Sequence, residues 1–132
     1  MKKVFISVPM KDRTKENIEK SIEKIKEYGK LVIDDEVEFI NTIVEEKPPY
    51  ENNNQAVWYL GKSIEILSQC DIILSPDETW NFNGCDIEKS ICYKYGIEVI
   101  EYKLQYFCKD LYEHSIVLRE SSSNEEDIEA EE

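Results

Sequence analysis

The run CDIILS at residues 70–75 constrains this chain more than any other stretch. A strand with one wet face alternates apolar and polar side chains. One that carries Ile72, Ile73 and Leu74 in succession needs cover on both faces, the condition of a parallel sheet between two helical layers. The flanking sequence fits. Downstream, Trp80, Asn81, Phe82, Asn83 and Gly84 make a loop, Ile87, Ile91, Cys92 and Tyr95 recur at helical spacing, Gly96 closes the helix, and residues 97–102 are strand-like. Upstream, residues 3–8 (KVFISV) form a β-branched and aromatic strand that Pro9 ends. A helix follows from Thr14, with Ile18, Ile22 and Ile25 on one side and Gly29 as its stop, and residues 30–33 give a second, shorter strand. Thr14 with Asn17 is a partial cap, lacking the Glu or Gln of a reciprocal box.

Residues 34–54 are an excursion, with a helical pattern over 37–44, then Pro48-Pro49 and three asparagines at 52–54. Irregular segments of this length in small domains are more often lids or binding loops than filler. From Gln55 helical period returns through Ala56, Tyr59, Leu60, Ser63, Ile64 and Leu67, leading into the apolar strand. This strand and helix alternation predicts an α/β fold: a flavodoxin- or Rossmann-like three-layer sandwich around a mostly parallel sheet of about five strands.

A chain of 132 residues, 41% hydrophobic, has room for one domain, expected at residues 1–120, followed by an acidic tail at 121–132 too polar to order itself. Residues 103–120 suit an edge strand, a docking helix or a subunit interface. With 29 acidic residues against 16 basic, the net charge is −13, so there is no basic field to attract nucleic acid or an anionic membrane surface. No apolar run approaches the roughly 20 residues of a spanning helix, and MKKVFISV is too short and strand-like for a signal peptide, which points to the cytoplasm. Cys70, Cys85, Cys92 and Cys108 form no CxxC pair, and the single His114 stands at no zinc-like spacing. They are expected to be reduced, mostly buried thiols, with no metal.

The candidate for chemistry is Glu88. Placed in the first turn of its helix, a carboxylate meets free N–H groups and the helix dipole and should stay ionised, as a nucleophile must. Cys85, Glu88 and Cys92 stand at i, i+3 and i+7, so Glu88 borders the buried stripe and could face a crevice at the carboxyl end of the sheet. Acidic residues also occupy first turns simply to complement the dipole. Trp58 and Tyr59 suit either core packing or a position over the pocket. Asp71 suits a structural role.

The strand end Ile6-Ser7-Val8-Pro9-Met10, the run at 67–74 containing Cys70-Asp71, then Trp80 and Gly84-Cys85-Asp86-Ile87-Glu88, in this order, resemble the nucleoside 2-deoxyribosyltransferase-like superfamily, closest to its branch of small bacterial and phage proteins with a Ser-Gly-Pro-Met strand end. The likeness spans most of residues 3–102. It implies cleavage or transfer at the N-glycosidic bond of a (deoxy)nucleoside or nucleoside monophosphate, with Glu88 as nucleophile, no cofactor, and a homodimer or larger assembly. The implied substrate pocket draws on Ser7, Val8, Pro9, Met10, Lys11 and Arg13 after the first strand, Trp58 and Ser63 before the third, and Trp80, Phe82, Asn83 and Gly84 ahead of Glu88. Lys11 and Arg13, in the loop after the first strand, are either anion contacts, if the ligand carries phosphate, or a solvated basic pair. The chain departs from the pattern at three supporting positions: Val8 replaces a glycine, Ser63 an aspartate, and Phe82 a polar residue. Asn81, Asn83, Asp77 and Asp86 are the nearby polar groups that would have to compensate. A non-catalytic nucleotide-binding protein on the same fold, a sensor or sequestering protein, accounts for those departures; a purely structural role draws only on the acidic tail.

Overall fold

The computed structural model of the protein describes residues 1–51 and 54–113. The expected tail, His114 with the rest of 114–120, and Asn52 and Asn53 lie outside the described residues. Chain order is β1 (Lys2–Ile6), α1 (Lys15–Val32), β2 (Val37–Ile40), α2 (Gln55–Leu67), β3 (Ile72–Pro76), α3 (Asn83–Tyr95), β4 (Glu98–Tyr102) and α4 (Leu104–Phe107). All strand pairs are parallel, in the order β2-β1-β3-β4. The described residues thus hold four strands instead of about five: after Tyr102 the chain turns at Lys103 into α4.

Both faces of the sheet are covered, as the apolar run requires. Every residue of β3 is buried. On one face Val4, Ile6, Ile72 and Leu74 pack with Ile25 of α1 and with Leu104 and Cys108, joined by the half-buried Ile18, Ile22, Tyr28 and Phe107. On the other, Phe5 and Ile73 pack with Leu67 of α2 and Cys92 of α3. This doubly wound three-layer sandwich is Rossmann- or flavodoxin-like. Its chain leaves β1 toward β2 and β3 toward β4 in opposite directions, which puts the topological switch point, where doubly wound sheets bind ligands, at the carboxyl ends of β1 and β3.

Two expectations are overturned in the first half. Gly29 does not stop α1, which runs on to Val32 and takes in most of the strand expected at 30–33. The glycine is buried because the helix lies against the sheet there: a Cβ would sit 2.9 Å from Leu74 Cδ1 and 3.2 Å from Phe39. The second strand is instead Val37–Ile40, inside the stretch expected as helix, and its register along β1 runs from Lys2 opposite Val37 to Phe5 opposite Ile40. Pairing with β1 overrides an eight-residue pattern too short to fix its own period.

Later elements agree more closely. Thr14 Oγ1 accepts from Asn17 N at 3.1 Å, the partial cap, and Asn54 caps α2 in the same way through Val57 N. Gly96, with φ +80°, ends α3 in the left-handed conformation that glycine adopts without penalty. Asp71 is structural: its Oδ2 accepts from Lys3 N at 2.8 Å, fastening the start of β3 to β1. All four cysteines are free and buried. Among the described residues no helix is long and apolar enough to cross a membrane.

Candidate functional site

The site starts at the end of β1. Ser7 N donates to Leu74 O at 2.9 Å, carrying the β1–β3 ladder one residue past the strand. The Tyr102 hydroxyl donates to Ser7 O at 2.7 Å from the end of β4. Both backbone groups of Ser7 are therefore engaged, and its side chain turns to α3: Oγ donates to Glu88 Oε1 at 2.7 Å. One buried hydrogen bond joins the end of β1 to the helix that follows β3, at the switch point of the strand order.

Glu88 does not lie in the first turn of its helix. Phe82, extended at φ −129° and ψ 94°, is the N-cap, so α3 begins at Asn83 and its first-turn acid is Asp86. Glu88 is a turn deeper and 8% exposed. Its expected ready ionisation is overturned accordingly: burial pushes the carboxyl from 4.5 up to about 7, with the Ser7 hydroxyl pulling it partway back. It has no ion-pair partner among the described residues. Lys89 beside it is committed to Glu101 and to the Pro76 carbonyl at 3.0 Å. An inward carboxyl poised at neutrality, held by one hydroxyl and no cation, can act as a nucleophile when ionised and pass a proton when not.

The thiols around it offer no rival nucleophile. Burial pushes Cys85 up to about 12 and Cys70 and Cys92 up to about 11, leaving almost no thiolate at neutral pH. Among the described residues no group of three or more His, Cys, Asp or Glu side chains is arranged to hold a metal ion.

The remaining candidates divide between the switch point and the framework. Val8 is 6% exposed and belongs to the core under α1. Pro9 is buried, while Met10 and Lys11 are exposed at the tip of the loop, where Asp12 adopts a positive φ of 61°. Arg13 is not a free anion contact. Its side chain is wholly buried and bonds both Asp110 oxygens, at 2.8 and 2.7 Å, with Pro9 O at 2.8 Å and Ser21 Oγ at 2.7 Å. Burial opposes its charge, but Asp110 holds the guanidinium above its ordinary pKa. The residue serves as a clamp between the loop after β1, α1 and the segment after α4.

Phe82 is half-buried and packs on the core under α1, so the position that the resemblance gives to a polar contact is occupied by apolar packing. Trp80 is 66% exposed, as are Asn83 and Gly84 at the start of α3. Trp58 and Tyr59 are half-buried on α2, edge to face with ring centres 5.1 Å apart, and Ser63 lies half-buried one turn further along the helix. The acids nearest in sequence already have structural partners: Asp86 accepts from Thr79 Oγ1 at 2.8 Å and Asp77 from Leu104 N at 3.0 Å. Sequence reasoning missed Tyr102 and Asp110; Tyr102 closed a strand pattern, Asp110 stood in a segment of mixed period, and neither carried a signal for a partner on β1 or its loop.

No family model matches this chain, and neither a curated protein nor a solved structure matches it.

Proposed function

We propose that the protein cleaves or transfers a ribosyl or deoxyribosyl group at an N-glycosidic bond, with Glu88 as nucleophile, as the resemblance to nucleoside 2-deoxyribosyltransferases implies. The observation that carries this reading is the 2.7 Å hydrogen bond from Ser7 Oγ to the buried Glu88 carboxyl at the carboxyl end of a parallel sheet. In such a reaction positive charge develops at the anomeric carbon as the base departs. A carboxylate beside it stabilises that charge or captures the carbon, and water or a second base completes the turnover. An incoming sugar that covers this end of the sheet favours the ionised carboxylate as this charge grows. Ser7 keeps one oxygen engaged and leaves the other for the sugar.

Arg13 narrows the substrate. With its guanidinium engaged by Asp110, the loop after β1 offers only the exposed Lys11 as a cationic side chain. An uncharged nucleoside suits that loop better than a monophosphate.

The test is incubation with a panel of deoxynucleosides and their monophosphates, with free base measured by chromatography. Base release that vanishes in Glu88→Ala, follows a pH profile rising through about 7, and shifts its midpoint upward in Ser7→Ala supports the reading. No release from any substrate, with a rise in melting temperature on adding one nucleoside, supports instead the binding protein that the altered positions Val8, Ser63 and Phe82 favour.

A further inference from the structure

A hollow lies away from Glu88, between α1 and the end of β2. Its volume is about 430 Å³, within the range of small-molecule sites. Ile22 and Phe39 give it an apolar floor. It opens on the α1 side of the sheet, where Ile6 also lines it, whereas Glu88 is carried by α3 on the opposite layer.

The chain beyond β2 shapes the polar end. Asn41 Oδ1 accepts from Ile43 N at 3.0 Å, a tight local turn, and Thr42 within that turn is 8% exposed and lines the hollow. Its hydroxyl has no hydrogen-bond partner among the described residues, so it is left for water or a ligand entering the hollow to meet. On the helical rim stand Glu19 and Glu23, one turn apart, with Lys26. Lys26 pairs with Glu23 at 3.6 Å, and Glu19 has no ion pair among the described residues. The rim is left net negative in a chain of charge −13, which disfavours anions.

We propose that this hollow binds a small organic ammonium ion, an amine on an aromatic or branched apolar body. The body lies over Phe39 and Ile22. The ammonium presents three donors and no acceptor, and the Thr42 hydroxyl, the second lone pair of Asn41 Oδ1 and the Glu19 carboxylate are three acceptors to receive them. The site is independent of the chemistry assigned to Glu88.

The experiment is a ¹H–¹⁵N amide titration of the full chain with 2-phenylethylammonium, beside phenylacetate as the anion of similar shape. Saturable shifts at Ile22 and residues 41–43 are expected with the amine, with phenylacetate binding at least about tenfold more weakly, the scale of one charge-assisted contact. Thr42→Val should weaken the amine about tenfold, as loss of one such hydrogen bond does, without lowering the melting temperature, because the hydroxyl has no partner among the described residues. Glu19→Gln should weaken it severalfold. The proposal is overturned if the amine produces no saturable shifts, if phenylacetate binds equally well, if the shifts centre on Ser7 and Glu88, or if Thr42→Val melts lower or binds the amine unchanged.

Discussion

A carboxyl whose pKa burial raises to about 7 weakens the fold as it ionises. The unfolded chain gives up that proton near 4.5 and the folded one near 7, so between these values the folded state binds the extra proton. Stability is therefore lost as pH rises through the window. Glu88→Gln, which keeps an acceptor for Ser7 without the charge, should melt close to the parent at pH 5 and clearly above it at pH 8. The gap between the two values amounts to on the order of 3 kcal/mol, and thermal melts at the two pH values read it. A variant that melts below the parent at pH 8 would show that the carboxylate is better solvated than its burial implies. The same residue shows how much of the site was legible in the sequence. Spacing from Cys85 and Cys92 correctly set Glu88 on the buried side of its helix. Its depth depended on where the helix begins, decided by the extended backbone of Phe82, and its partner lies 81 residues away in the chain.

Elements were legible where a pattern was long enough to declare its period. The apolar run of β3, the stripe of α3 with Gly96 after it, and the aliphatic side of α1 all appear in the fold as the sequence implied. Gly29 and residues 37–40 did not, because each depends on a tertiary neighbour. A glycine that lets α1 approach Leu74 looks, in sequence, like a glycine that ends a helix. Gly29→Ala distinguishes these roles. At a helix stop of positive φ alanine would be strained, and in an open helix it would stabilise; here its Cβ meets the fully buried Leu74, and overpacking should destabilise by about 1–3 kcal/mol in chemical denaturation. The Arg13 clamp acts between elements in the same way. Asp110→Ala leaves a wholly buried guanidinium without its counter-charge and should cost about 3 kcal/mol or more. Asp110 is held below its ordinary 3.8 by Arg13, so the clamp contributes at all higher pH and fails only as pH falls through that lowered value. Equal stability of parent and variant at neutral pH would remove the clamp from the account.

The whole molecule is a small sandwich carrying far more carboxylates than cations, and one of its arginines is withdrawn into the interior. Self-repulsion of the remaining charge works against compactness. Adding salt from about 10 to about 500 mM should therefore raise the melting temperature by a few degrees, as screening shortens the reach of that repulsion. A melting point indifferent to salt would mean that local pairs, such as the i,i+4 contact of Lys20 with Glu16, already neutralise the field.

The phenol of Tyr102 has a consequence that reaches beyond its strand. It pegs the Ser7 carbonyl from β4, so the end of β1 that holds Glu88 is anchored from behind, by a side chain that need never meet a ligand. Loosening that peg offers a way to retune the acid while leaving every surface that a substrate would meet untouched.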